Sequence, residues 1–205
     1  MSSNVSKGLL VVISGPSGAG KGTVCKELMK RYNYNISVSA TTRPPREGEV
    51  DGVNYYFLDK NTFEQKLHNG EFLEYAQVYG NYYGTLKREV EEKLDNGENI
   101  ILEIDIQGTL QVQKVYKNAV YVFLLPPSIS ELRNRILKRG SETESSFNIR
   151  FSSVSEELKY MGSYDYAVIN DDLDSAVEKV NSIIDTEMNR ISRMNLEEFL
   201  LDYNF

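Results

Sequence analysis

Residues 9–28 constrain this chain more than any other stretch. The apolar run Leu9-Leu10-Val11-Val12-Ile13 is followed by Gly15-Pro16-Ser17-Gly18-Ala19-Gly20-Lys21-Gly22-Thr23, then by the helix-like Thr23-Val24-Cys25-Lys26-Glu27-Leu28. Strand, glycine-rich loop, lysine and helix, in that order, make a cradle for phosphate. Glycines let successive backbone N–H groups turn toward one anion, since no Cβ blocks the approach. The helix N-terminus adds unpaired N–H groups and the positive end of its dipole. Lys21 is the cation for β- and γ-phosphates, so the chain is expected to bind a nucleoside triphosphate. The spacing G-x-x-x-x-G-K-[ST] is met by Gly15, Gly20 and Lys21. Gly22 stands at the hydroxyl position, however, and the hydroxyl comes one residue later, at Thr23.

The rest of the chain reads as an α/β protein built on a parallel sheet. Leu9–Ser14, Asn99–Asp105 and Val120–Leu125 are nearly continuous apolar runs, as in strands covered on both faces by helices. Tyr166–Asn170 is a weaker fourth strand and Ile36–Ser39 a short fifth. Helical patterns lie between them: Val112, Val115 and Tyr116 follow one strand. After another, Ser128 and Glu131 form a capping-box pair ahead of Leu132 and Ile136. From Asp174 onward, Val177, Val180, Ile183, Ile184, Met188 and Ile191 recur at helical spacing and predict a long C-terminal helix.

Residues from about 39 to about 94 read differently. Tyr55-Tyr56-Phe57-Leu58, a short helix opened by Asn61 and Glu64 and closed at Gly70, Phe72-Leu73-Glu74-Tyr75, a Gly80-Asn81 turn and Tyr82-Tyr83 predict a small mixed sheet. It is inserted between the first two helices of the core. Arg139 to Phe151 is rich in Gly, Ser, Glu and Thr and is bracketed by arginines, as a mobile lid would be.

Composition sets limits. With 205 residues, 40% hydrophobic and 26% charged, the chain is one core with room for insertions, or at most two small domains. Its net charge of −7 argues against a chain that holds nucleic acid through phosphates. No stretch approaches membrane-spanning length and the segment Met1–Lys7 is polar, so no membrane partner is expected. The single cysteine, Cys25, shares the apolar side of the first helix with Val24 and Leu28; it reads as core filler in a cytoplasmic protein.

A second substrate needs its own grip. In Thr42-Arg43-Pro44-Pro45-Arg46 the prolines stiffen the backbone and hold two guanidinium groups in a fixed relation, which suits a phosphate. The loop is expected directly after the end of the short fifth strand, where α/β proteins bind ligands. Further on, Glu74 and Thr85 offer a carboxylate and a hydroxyl. A carboxylate can accept from both N1–H and N2–H of guanine, and a threonine hydroxyl could donate to O6. Adenine lacks that donor pair and would leave a buried carboxylate unpartnered.

These segments together resemble the guanylate kinase family. G-P-S-G-A-G-K-G-T, S-A-T-T-R-P-P-R-E-G-E, F-L-E-Y-A-Q-V-Y-G-N-Y-Y-G-T and I-D-I-Q-G occur in that order, and the likeness runs from about Leu9 to about Asp174. The resemblance implies a three-layer P-loop core, a small mixed α+β GMP-binding insertion and a lid. The parts would be core at 1–38, insertion at 39–94, core at 95–138, lid at 139–151, and core with the C-terminal helix and tail at 152–205. It implies transfer of the γ-phosphoryl group of ATP to GMP or dGMP, with magnesium. Gly15, Pro16, Ser17, Gly18, Ala19, Gly20, Lys21, Gly22 and Thr23 would bind ATP, with Arg135 and Asn170. Ser39, Arg43, Arg46, Tyr55 and Tyr83 would hold the GMP phosphate and its surroundings. Glu74 and Thr85 would read the base and Asp105 would close the base side.

Lys21, Arg43, Arg139 and Arg150 would be catalytic, the last two arriving with the lid. Thr23 would serve magnesium, directly or through water. Glu103 and Asp105 fall on the same side of their expected strand, and either could assist the ion. His68, on its short helix, reads as a solvated side chain with no part in the chemistry.

Three other readings are weighed. A regulatory GTPase would carry N-K-x-D, which does not occur. Another P-loop kinase would have no use for Glu74 with Thr85. A phosphopeptide-binding scaffold of the same fold would have a degraded loop. The tail Leu196–Phe205 has no counterpart in the motif pattern, and a homo-oligomer is left open.

Overall fold

A computed structural model describes residues 7–78, 80–138, 154–194 and 196–201. Its core is a five-stranded parallel sheet with strand order β2-β7-β1-β8-β9. The strands are β1 (Leu10–Ser14), β2 (Asn35–Ile36), β7 (Ile100–Glu103), β8 (Val120–Leu125) and β9 (Tyr166–Ile169). Helices α1 (Lys21–Tyr32), α4 (Ile106–Val115), α5 (Ile129–Lys138), the helical residues 154–159 (α6) and α7 (Leu173–Met188) connect or follow them. Right-handed crossovers of this length are what parallel pairing requires.

The central strand explains why the apolar runs do not alternate with polar residues. Val11 and Ile13 face one helical layer, packing with Val24 and Leu28 of α1 and Val177, Val180 and Ile184 of α7. Leu10 and Val12 face the opposite layer, with Val90 and Leu94 of α3 (Lys87–Asp95) and Val112 of α4. Successive side chains point to opposite faces and both faces are covered, so every position is apolar. The result is the expected three-layer arrangement.

The second sheet has four strands in the order β4-β3-β6-β5, from β3 (Ala40–Thr41), β4 (Tyr56–Phe57), β5 (Phe72–Val78) and β6 (Asn81–Leu86). It is mixed: β3 pairs parallel with β4 and antiparallel with β6, and β5 and β6 form an antiparallel hairpin. Helix α2 (Lys60–His68) covers it through Phe63, which stacks on Phe72 at 4.2 Å and on Tyr82 at 5.2 Å between ring centroids.

Several local expectations are corrected. Of the expected strand Ile36–Ser39 only Ile36 pairs with the core, in the two-residue strand Asn35–Ile36; the Ser37 N–H still donates to the Ile101 carbonyl at 3.0 Å, and the chain then leads across to the second sheet. The arginine-bearing loop therefore follows β3 of the small sheet rather than the end of a core strand. Helix α2 is capped by Asp59, whose carboxylate accepts from the Thr62 N–H, and not opened at Asn61. Val115 and Ile191 are exposed rather than core residues, and α7 stops at Met188. Asp105 is not on a strand: it caps α4 by accepting from the Gly108 N–H at 2.8 Å. The Ser128 cap holds, accepting from the Glu131 N–H at 3.0 Å. Cys25 is buried as expected. The described part of the tail, α8 (Leu196–Leu201), leaves Leu196, Leu200 and Leu201 exposed.

Candidate active site

The loop from Gly15 to Gly20 joins the end of β1 to α1. Gly20, the residue before the helix, is left-handed at φ 94° and provides no side-chain cap, so the N–H groups of Lys21 and Gly22 remain for an anion, while that of Thr23 donates to the Gly20 carbonyl at 3.1 Å. That conformation suits glycine, and a Cβ there would also collide with the Asn170 side-chain amide. Asn170 is buried and its Nδ2 donates to the Ala19 carbonyl at 2.8 Å. It therefore sits beneath the loop and braces it. The sequence motifs place it only among the expected ATP-binding residues.

Lys21 begins α1. Its Nζ donates to the Gly15 carbonyl at 2.6 Å and reaches the Pro16 carbonyl at 3.3 Å. The ammonium is folded onto the loop it serves. Burial lowers its pKa from the usual lysine value, opposed by the neighbouring carboxylates of Glu103, Glu157 and Asp105. Thr23 is exposed on the first turn. A Cβ on Gly22 would lie 3.2 Å from Glu103 Oε1, so a side chain there would need that carboxylate to give by a few tenths of an ångström. Arg135 lies on α5, half-buried, donating through Nε to Glu131 one turn earlier at 2.9 Å. Arg139 and Arg150, the expected lid arginines, lie outside the described residues.

The second sheet brings together most of the residues expected to hold the acceptor. Glu74 on β5 and Thr85 on β6 are paired across the hairpin. Both are buried, and the Thr85 hydroxyl donates to Glu74 Oε1 at 2.7 Å. That hydroxyl has a single proton, so donation to a base carbonyl would have to replace this bond. Gly108 of α4 makes the approach of Glu74 possible, since a Cβ there would lie 2.5 Å from Glu74 Oε2 and 3.4 Å from Asp105 Oδ1. Glu74 and Asp105 thus close on one spot from two elements. Burial raises the Glu74 pKa to about 7, against the lowering effect of the Thr85 hydrogen bond and with the Asp105 charge adding to it.

Beside this pair, Arg43 is packed over the rings of Tyr55 and Phe57, with its guanidinium carbon 5.5 and 5.8 Å from their centroids. Tyr83 meets Tyr55 edge-on at 6.0 Å, and its hydroxyl also acts on the Arg43 guanidinium. Arg43 pairs with Glu49, which the motif reading passed over; the only hint in sequence is its place in Glu47-Gly48-Glu49. Arg46 is exposed. Ser39, half-buried, accepts through its carbonyl from the Tyr56 N–H at 2.9 Å.

The two halves face each other. Glu103 and Asp105 both act electrostatically on Lys21, and Glu103 also acts on Tyr55 of the insertion. His68 is exposed on α2, as expected. A cleft of about 750 Å³ lies at the other ends of the core strands, lined among others by Leu10, Asn99, Ala119 and Tyr166, and holds none of these residues.

Comparison with known proteins agrees with this geometry. The family model for guanylate kinase matches residues 7–187. The guanylate kinase of Clostridium tetani is 58% identical over 188 residues, covering 92% of this chain and 90% of that protein. That of Clostridium acetobutylicum is 59% identical with the same coverage. Among solved structures, guanylate kinase from Anaplasma phagocytophilum superposes with a TM-score of 0.78 at 33% identity, covering 95% of this chain and 94% of that one.

Proposed function

The chain belongs to the guanylate kinase family and is an ATP:GMP phosphotransferase; from that premise we propose how its residues divide the work. The observation that carries the assignment is the buried Glu74–Thr85 pair closing with Asp105 on one spot, opposite the Lys21 loop. Ionised Glu74 accepts from N1–H and N2–H of guanine, and Asp105 bounds the base side. Arg43, Arg46, Tyr55 and Tyr83 grip the GMP phosphate, with Ser39 beside them. The free loop N–H groups between Gly15 and Gly22 (Pro16 has none, and that of Ala19 donates to the Pro16 carbonyl at 3.1 Å) and the Lys21 ammonium hold the ATP phosphates, and Arg135 of α5 would serve ATP.

Transfer needs in-line geometry and neutralised charge, with little covalent chemistry from the protein. An oxygen of the GMP phosphate attacks the γ-phosphorus. The bond from that phosphorus to the β–γ bridging oxygen breaks, and ADP leaves with the electron pair. No strong base is required, because the nucleophile is already anionic. Lys21 leaves the Gly15 carbonyl for the phosphate oxygens and spreads their charge. Arg139 and Arg150 add positive charge when the lid closes, and closure excludes water that would otherwise consume ATP.

Magnesium fits the residues present. Among the described residues no group of three or more His, Cys, Asp or Glu could hold a metal ion. An ion that takes its oxygens mainly from substrate phosphates and water needs only one or two protein groups. Exposed Thr23, with Glu103 lying against Gly22 beside it, supplies them. Asp105 is turned to the Gly108 N–H and is left to the base side. When bound, the ion neutralises charge on the β- and γ-phosphates.

We place the reaction in the cytoplasm, where both nucleotides are. Among the described residues no helix is long and apolar enough to cross a membrane. The test is a coupled ADP-release assay with ATP, magnesium and each monophosphate in turn. GMP and dGMP should turn over, with AMP, CMP and UMP lower by on the order of a thousandfold or more. Equal rates with AMP would remove Glu74 from base recognition.

A further inference from the structure

The loop that carries the two acceptor arginines holds a third charged group to which the reaction assigns no task. Glu49 is half-buried, and both its oxygens lie on Arg43 Nη2, at 2.8 and 2.9 Å. Oε2 also accepts from the backbone N–H of Arg46 at 2.7 Å, while the Glu49 N–H donates to the Arg46 carbonyl at 3.1 Å. Arg43 Nη1 donates to the Pro44 carbonyl at 2.7 Å. One carboxylate thus ties the guanidinium of Arg43 to the backbone of Arg46 across the two prolines. The rings of Tyr55 and Phe57 fix the flat face of the same guanidinium.

This arrangement raises an electrostatic question. A carboxylate beside a phosphate-binding guanidinium cancels part of its charge and repels the incoming dianion. By charge alone, Glu49 should weaken GMP binding. Its geometric effect has the opposite sign. An arginine on a surface loop samples many rotamers and loses them on binding, whereas Arg43 is already held in one place. A guanidinium has more N–H donors than these contacts use, and those left over keep a fixed direction.

We propose that Glu49 is a positioning residue for the GMP phosphate, acting through Arg43 by fixing its guanidinium before the substrate arrives. The inference rests on the reading that Arg43 grips that phosphate. It separates cleanly from a purely electrostatic role, because the two predict opposite changes in KM.

The experiment is steady-state kinetics on E49Q, E49A, R43A and the double variant R43A/E49A, with KM for GMP and for ATP measured separately. Loss of a pre-ordered charged contact is expected to raise KM for GMP on the order of tenfold in E49A. E49Q, which keeps one oxygen for the Arg46 N–H, should move the same way by a smaller factor. KM for ATP should stay within about twofold, because the donor loop is on another element. In the double variant, KM for GMP should be no worse than in R43A, since Glu49 has nothing left to position. If R43A leaves KM for GMP unchanged, the reading of Arg43 fails, and this inference with it. If R43A raises that KM while the Glu49 variants leave it unchanged or lower it, Arg43 stands and the positioning role is overturned. A full additional Glu49 effect in the R43A background overturns it as well. Should E49A fail to fold, E49Q decides alone, with thermal denaturation as the control.

Discussion

Glu74→Gln separates what the buried carboxylate costs the fold from what it does for the substrate. The Glu74 pKa stands at about 7 in the folded protein against the usual 4.5, with burial as the main cause. The difference of about 2.5 units corresponds to roughly 3 kcal/mol. The sign follows from proton counting. Between pH 4.5 and about 7 the native protein keeps a proton that the unfolded chain has released, so this group's contribution to stability falls as pH rises through that window. Above about pH 7 the whole cost is present; below 4.5 it is absent. Glutamine cannot ionise and still offers an oxygen to the Thr85 hydroxyl, so E74Q should be more stable than the parent at pH 8. For a chain of this length, roughly 3 kcal/mol corresponds to a rise in Tm of roughly 6–12 °C. At about pH 4.5 the two proteins should melt within a degree or two of each other.

The same substitution presents a donor to a guanine edge that offers only donors, and kcat/KM for GMP should fall at least about a hundredfold. Thermal melts followed by circular dichroism at the two pH values, with the coupled assay at pH 8, test both halves. A variant less stable than the parent at pH 8, or one with the same Tm difference at both pH values, would refute the argument from burial. Near-full GMP turnover would refute the argument from hydrogen bonding.

Two further outcomes follow from the donor half. Lys21→Ala should lower kcat by about a thousandfold or more through lost charge stabilisation. It should not lower Tm, because burial already disfavours the Lys21 charge in the free protein; a folded variant with near-parental kcat would remove Lys21 from catalysis. Asn170→Ala deletes the amide that donates to the Ala19 carbonyl and should raise KM for ATP on the order of tenfold while leaving KM for GMP unchanged. A change confined to the GMP side would show that Asn170 is not bracing the phosphate loop.

The donor half was legible because it is contiguous. Strand, loop, lysine and helix follow one another from Leu10 to Tyr32, so their order in sequence is their order in space. The core was equally plain, since strands buried on both faces cannot hide their apolar character. Legibility failed where two elements had to meet. Asp105 is the last residue of the expected strand Asn99–Asp105, yet the strand stops at Glu103 and the Asp105 carboxylate accepts from the Gly108 N–H to cap α4. Asn170 touches the loop across 151 residues of chain, and no local pattern records that contact. Glu49 looked like one acid among many because its partner, Arg43, is set by a turn rather than by a helical or strand period.

Glu74 is the most instructive of these cases. Simple alternation along β5 would put Leu73 and Glu74 on opposite faces with only one of them buried. The pairing of β5 with β6 shifts register between Phe72 and Glu74, and both Leu73 and Glu74 are buried. Leu73 lies in the core cluster with Val90 and Leu94 while Glu74 meets Thr85, so the element is covered on both sides here.

The two charges given central roles in the proposed reaction are both disfavoured by the free fold, in opposite directions and for the same reason. Burial pushes Glu74 toward its neutral acid and Lys21 toward its neutral amine. In the proposed roles each substrate would supply what its residue lacks: guanine would bring two N–H donors to the carboxylate, and ATP would bring anionic oxygens to the ammonium. Part of each binding free energy is therefore spent on relieving a cost built into the free protein. The gain differs between substrates according to whether the complementary group is present. AMP could fill the same volume as GMP, but with no donor pair it would leave the Glu74 charge buried and unrelieved. Discrimination then comes from the penalty on the wrong base as much as from attraction to the right one. A carboxylate at the protein surface would give up that penalty, which is why the burial of Glu74 matters to specificity.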